Sequence, residues 1–328
     1  MSDPELATLK PLPIKGVRMV WPRLVAYRLD RLAVLEGRDL LMSFAIDDDR
    51  PRVREVRPLG YKPTSMRLSA SRRFLLVGNE AGNWYEVRDA EKLEPVACVA
   101  AAERFPCAFA SLADADILIS APRPGIIEVM SLPEGKLLAR VRRDGGRSFV
   151  AAGMVAVGDG DRVAIVGHAS MSPYWAHMVV ETSFLQAAGA KMNETLDRVV
   201  AARGSADLAV GPCGWDDVVV YEGTGGGPPS PGGGGGDRRS LTVRRLAGGE
   251  VVEQVPCDRV LGVRNPIMGT SLAVAVGFDD GVLVLPRKDL HQPPRFLAAK
   301  ALSFDPDAGR LARITPECEV ELVELARE

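Results

Sequence analysis

Apolar and polar positions alternate in short runs along most of this chain, broken every few residues by Gly, Pro, Asp or Asn. The pattern is clearest over 64–102. Met66 and Leu68 alternate with polar neighbours, and Phe74 to Val77 form an apolar run before Gly78. Trp84 to Val87 follow Gly82, and Val96 to Val99 close the unit. Period-two alternation and short apolar runs between turn residues predict strands, so this stretch reads as four short strands and three turns. The same grammar recurs over 105–145, with strands at Cys107–Ala110, Ile117–Ser120, Ile126–Ser131 and Leu137–Val141. Its turns are Leu112–Asp116, Pro122–Gly125 and Leu132–Lys136, where Pro and Gly fix the backbone angles. Over 260–298, Leu272–Val276 and Val282–Leu285 flank a segment ending in Asp280-Gly281, a hairpin signal, and Arg295–Ala298 closes the unit.

Other units are less regular. Over 148–203 the expected strands are Met154–Val157, Val163–Gly167, Met178–Glu181 and Leu196–Ala202. A longer loop runs from His168 to Ala176, and Thr182–Glu194 is a short helix or an irregular insert. Over 205–258 they are Leu208–Val210, Val218–Tyr221, Ser240–Leu246 and Val251–Val255. The Gly/Pro-rich tract Gly223–Asp237 lacks side chains for a core and reads as a flexible loop within one unit. The first unit, 16–58, holds Val17–Val20, Leu24–Leu29, Leu32–Leu35 and Leu40–Ile46. The last, 299–328, lacks a fourth strand, while Leu6–Leu12 is a spare one. Lending it to the last unit hides sheet edges. Repeats of this length that cannot bury their own faces, four strands in each, predict a β-propeller. The expectation is one all-β domain over 1–328, with seven four-stranded blades of about 47 residues closed by the N-terminal strand; six or eight blades are the alternatives.

Three segments resemble WD40-type repeats: Ser303–Ala312; Arg67–Gly78 with Gly82–Lys92; and Ile126–Lys136. No Gly-His pair opens a unit, and Val87-Arg88-Asp89 stands where the family has Trp-Asp, so the family's hydrogen-bond network is missing. The chain thus resembles a divergent, bacterial WD40-like propeller. The resemblance implies a rigid scaffold for protein contacts. Some bacterial propellers of this kind act beside an AAA+ ATPase and a von Willebrand A protein.

Composition narrows the rest. No apolar stretch is long enough to span a membrane as a helix, and Met1-Ser-Asp-Pro-Glu5 is unlike a signal peptide. A formal net charge of -2 argues against nucleic-acid partners, which favour basic surfaces. Five widely spaced cysteines without a CxxC pair fit reduced thiols in the cytoplasm.

Candidate chemistry is sparse. Of the three histidines, His168, His177 and His291, the first two flank one expected loop and could meet at its base, but a metal site needs several ligands together, and they read as ordinary loop or strand residues. Cys213 and Cys257 read as buried structural residues. Gly223–Gly236 lacks the Lys-Ser or Lys-Thr of a phosphate-binding loop, and Asp159 and Asp161 lack the further ligands of a calcium loop. No catalytic residue, cofactor or metal is expected, and the chain is expected not to be an enzyme. The surface candidates are aromatic and basic: Tyr174 and Trp175 in the longer loop, Trp84 early in a third strand, Trp215, and the pair Arg142 and Arg143, since interfaces enrich aromatics and Arg. Asp47–Asp49, Arg238-Arg239 and Arg244-Arg245 are further charge clusters. The expected function is a scaffold for protein partners; a small-ligand or peptide sensor and a channel-mouth hydrolase are the alternatives.

Overall fold

The structure is a computed structural model, and it describes residues 11–47, 50–79, 84–100, 107–142, 149–157, 160–169, 174–181, 200–203, 210–213, 217–223, 239–245, 250–257, 267–270, 273–287, 294–305 and 309–325. All regular elements among them are strands. They are β1 (Pro11–Arg18), β2 (Pro22–Arg28), β3 (Arg31–Glu36), β4 (Leu40–Asp47), β5 (Arg50–Pro58), β6 (Ser65–Leu68), β7 (Phe74–Asn79), β8 (Trp84–Asp89) and β9 (Pro95–Ala100). Next come β10 (Cys107–Leu112), β11 (Ala115–Arg123), β12 (Ile126–Ser131), β13 (Leu137–Arg142), β14 (Phe149–Val157), β15 (Arg162–Ala169), β16 (Tyr174–Glu181), β17 (Val200–Arg203), β18 (Val210–Cys213), β19 (Asp217–Gly223), β20 (Arg239–Arg245) and β21 (Val251–Pro256). The chain ends with β22 (Ile267–Gly269), β23 (Ala273–Phe278), β24 (Gly281–Pro286), β25 (Arg295–Ala298), β26 (Ala301–Asp305), β27 (Arg310–Ile314) and β28 (Glu319–Glu324). Two compact units emerge: the first comprises 1–103, 133–135 and 268–328, the second 104–132 and 136–267.

In the first unit, the strand orders are β2-β3-β4-β5, β6-β7-β8-β9, β23-β24-β25 and β1-β28-β27-β26. The first strand of the chain therefore completes the C-terminal sheet, pairing Pro11 with Val323 and Leu12 with Leu322. Of the expected strand Leu6–Leu12, residues 6–10 lie outside the described ones, while Pro11 and Leu12 do pair here and the strand runs on to Arg18. Val17 and Arg18 consequently belong to this sheet and not to the first repeat, and Val20 lies in no strand. The fourth strand of the first repeat is instead β5.

Alternation explains how β3 fills both of its faces. Leu32 and Val34 pack with Phe44, Ala312, Ile314 and Leu322. Ala33 and Leu35 point the other way, to Leu41, Leu75, Val77 and Leu93. A strand covered on both faces reads as a continuous apolar run, and each fully buried aliphatic side chain contributes roughly 1.5–3 kcal/mol. Polar ties run between the same sheets. Ser43 donates its hydroxyl to the Ala90 carbonyl at 2.6 Å, and Arg57 meets Glu94 at 3.4 Å.

The second unit has the orders β10-β11-β12-β13, β14-β15-β16-β17 and β21-β20-β19-β18. Val163 and Ile165 on β15 pack with Ile117, Ile119, Val129 and Met154, whereas Ala164 turns to Val218 and Val220. The Ser111 amide donates to the carbonyl of Gly160 at 2.7 Å, a residue at φ +85° that a side chain would strain. One expectation fails here: Tyr174 and Trp175 do not sit in a loop but open β16, with Tyr174 paired to Arg203 and Trp175 to both His168 and Ala202. The strand begins directly after Pro173, which cannot donate to a ladder. The insert at 182–194 and most of the Gly/Pro tract lie outside the described residues. The strands flanking that tract are neighbours, as expected, with Gly223 opposite Arg239.

Candidate interaction surface

The two ends of the sheets in the first unit differ in chemistry. At one end the turns are stitched together. The Leu29 amide donates to Oδ2 of Asp305 at 2.6 Å, Arg72 pairs with Asp30 at 2.7 Å, and Arg31 approaches Glu91 at 3.8 Å.

The other end is formed by the starts of β2, β4, β6 and β8 and the ends of β3, β5 and β7. The strand registers set this: Pro22 pairs with Glu36, Glu36 with Leu40, and Leu40 with Pro58. Here the link between β1 and β2 presents Val20 at 91% exposure and Trp21 at 70%, while Met19 beside them is buried. The Trp21 backbone is fixed on both sides. Its N–H donates to Oε1 of Glu36 at 2.6 Å, and its carbonyl accepts from Gly37 N at 2.9 Å. Gly37 has φ +62°, so the β3–β4 turn that holds the tryptophan uses a left-handed residue. A large aromatic exposed on a preorganised backbone suits an interface anchor, because little entropy is left to lose on binding. Leu59 extends the edge through its N–H to the Asp39 carbonyl at 2.8 Å.

From the same end a polar cluster runs along β8 toward the stitched end. Trp84 is half-buried and meets Tyr61 edge-on, ring centroids 4.6 Å apart. The Tyr61 hydroxyl donates to Oε2 of Glu86 at 2.7 Å, and the same oxygen accepts from Nε of Arg88 at 2.5 Å. Arg88 also donates to the Leu93 carbonyl at 2.6 Å. Arg88 is buried and Glu86 partly so, and every named donor is satisfied, so this cluster holds the sheet together. Burial, then the Glu86 hydrogen bond and charge, push the Tyr61 phenol well above its ordinary value of 10.0. Partial burial and Glu86 likewise raise the Cys98 thiol. Because the folded Tyr61 value is raised, its stabilisation is complete below about pH 10 and is lost as pH climbs through the folded value. Alkaline melts should therefore show falling stability above pH 10, and Tyr61→Phe should flatten that fall; an unchanged slope would contradict the hydrogen bond.

The sequence candidates scatter. Trp84 lies in the first unit as just described. Tyr174, Trp175 and Arg142 lie in the second, on β16 and at the end of β13, where Arg142 pairs with Ile126. Trp215 and Arg143 lie outside the described residues. Trp21, an aromatic 70% exposed, is missed by pattern reading because it falls between two expected strands of the least regular repeat. The signal that finds it is Val20-Trp21-Pro22, a bulky apolar pair halted by a proline.

No family model matches the chain, and no curated protein matches it in sequence. Solved structures do. A chain of Kuenenia stuttgartiensis hydrazine synthase superimposes with TM-score 0.62 at 13% identity, covering 96% of this chain and 99% of that one. A chain of a mitotic checkpoint complex gives 0.58 at 15% identity, covering 100% and 98%. The WD40 repeats of RRP9 give 0.58 at 9%, covering 96% and 97%. The first of these overturns the expectation that such a chain is not an enzyme: the same architecture occurs in a protein named as a synthase, so the fold does not separate catalysts from scaffolds.

Proposed function

We propose that this chain, which has a β-propeller fold by its likeness to solved structures, is a divergent WD40-like protein-interaction scaffold, the propeller subunit of a multiprotein assembly, which receives its partner on the Val20–Trp21 edge. The observation that carries this reading is Trp21, 70% exposed on a backbone held at both its N–H and its carbonyl. An exposed apolar pair costs solubility unless something covers it, and among the described residues the opposite end of the same sheets has no comparable pair. In the finer form of this reading, drawn from the sequence resemblance, the assembly contains an AAA+ ATPase and a von Willebrand A protein. The whole chain, 1–328, acts as one propeller domain in the cytoplasm; its five widely spaced cysteines without a CxxC pair support a reducing compartment.

The test is affinity purification of the tagged full chain from its own cells, beside Trp21→Ala and Val53→Ala. Val53 is also exposed, but on β5 away from the edge. A stoichiometric partner is expected with the parent chain and with Val53→Ala, and at least tenfold less with Trp21→Ala. Equal recovery with Trp21→Ala, or no stoichiometric partner at all, would refute the reading.

A further inference from the structure

From the approach of Lys300 to Cys318 we infer a modification site: hydrogen peroxide joins the Lys300 amine and the Cys318 thiol in a reversible sulfur–nitrogen cross-link. Nζ of Lys300 lies 3.0 Å from Sγ of Cys318 and donates to it. Reacting atoms held about 3–3.5 Å apart are placed for attack. The backbone sets this approach. Lys300 stands just before β26, and its N–H donates to the Ile314 carbonyl at 2.7 Å. Cys318 stands just before β28, and its N–H donates to the Thr315 carbonyl at 3.0 Å. Thr315 is buried, and its hydroxyl accepts the Glu319 N–H at 3.2 Å. Two groups 18 residues apart in sequence are thus hung on adjacent residues at the end of β27. Glu317 and Glu319 flank the thiol and are exposed, yet the ammonium is directed at sulfur.

Access separates this thiol from the others. Lys300 is exposed and Cys318 partly so, which lets a small peroxide reach them. Cys107, Cys213 and Cys257 are buried. Cys98 is exposed but lies opposite Glu86; partial burial, then that charge, raises its thiol and leaves less thiolate to attack. The Cys318 sulfur attacks one peroxide oxygen, the O–O bond breaks, and the other oxygen leaves as water with the thiol proton. Sulfur is oxidised to the sulfenic acid and the peroxide is reduced. Lys300, its ammonium proton released to solvent, then attacks Sγ with the nitrogen lone pair. The S–N bond forms, the S–O bond breaks, and hydroxide leaves as water with an amine proton. A small thiol reverses the link by attacking Sγ and releasing the amine. While closed, the link ties the start of β26 to the turn before β28. It also removes the Lys300 charge from a sheet end that keeps Glu317 and Glu319.

The experiment treats the reduced full chain with hydrogen peroxide, blocks remaining thiols with iodoacetamide, digests with trypsin and reads the peptides by mass spectrometry. The expected product joins 296–310 to 314–327 through an uncleaved Lys300. It is lighter than the two reduced peptides by two hydrogens, and dithiothreitol added before the block removes it. Lys300→Arg and Cys318→Ser should each abolish it, and Lys300→Arg should trap several-fold more dimedone at Cys318. Peroxide given in denaturing guanidinium chloride should yield roughly tenfold less or lower still, because the fold supplies the proximity. An unmodified Cys318, a Cys318 carried only to sulfinic or sulfonic acid with normal cleavage after Lys300, or equal cross-linking in denaturant would overturn the inference.

Discussion

Gly211→Ala is expected to destabilise the second unit by about 3 kcal/mol or more, read as a fall in denaturant midpoint with an unchanged slope. A methyl group on Gly211 would run into the carbonyl of Ile267, the first residue of β22. The obstruction is backbone, so no rotamer change relieves it. Gly37→Ala provides the comparison. Nothing lies within 4 Å of that position, and the cost there is the left-handed conformation at φ +62°, about 1 kcal/mol. If the two substitutions cost the same, Gly211 does not approach the Ile267 carbonyl as described.

Asp305→Ala is expected to cost about 2–4 kcal/mol. Asp305 is fully buried and accepts the amide of Leu29, a residue 276 positions away. Leu29 sits at φ +49°, so its turn depends on an outside acceptor to hold it. Ser303 on the same strand accepts the Tyr27 amide at 2.9 Å, and together these bonds tie β26 to β2. Removing the buried carboxylate strands a part-buried donor, which costs more than an average hydrogen bond returns. Asp305→Asn keeps an acceptor and should lose less than half as much. Thermal melts of the two variants check this; equal losses would mean that the carboxylate acts through charge and not through the Leu29 amide.

Residues that alternate cleanly between firm turns were legible in the sequence. Phe74–Asn79 and Ile126–Ser131 lie where their apolar runs and flanking Gly residues put them. β5 was not, and its register explains why. Pro51, Val53, Val56 and Pro58 share one face, opposite Ile46, Phe44, Met42 and Leu40, but a bulge between Val53 and Glu55 shifts the alternation by one residue at Arg54. Read linearly, Arg-Pro-Arg-Val-Arg-Glu-Val-Arg-Pro looks like a charged loop; Pro, Arg and a bulge are also what keeps a sheet edge from pairing with another chain. The C-terminal sheet was legible in kind, because its missing strand called for a donor, though the donor runs on to Arg18, past the apolar pattern that suggested it. The docking edge was hidden for a different reason. Trp21 gains its meaning from Glu36 and Gly37, and that neighbourhood exists only after β2 and β3 have paired.

The central claim, that partners dock on the Trp21 edge, is tested most directly by amide hydrogen exchange of the full chain alone and with its co-purified partner bound. The account predicts slowed exchange at 19–23 and 36–39 in the complex and little change at the stitched turns around Asp30 and Arg72. Protection confined to those turns, with 19–23 exchanging as fast as in the free chain, would contradict it.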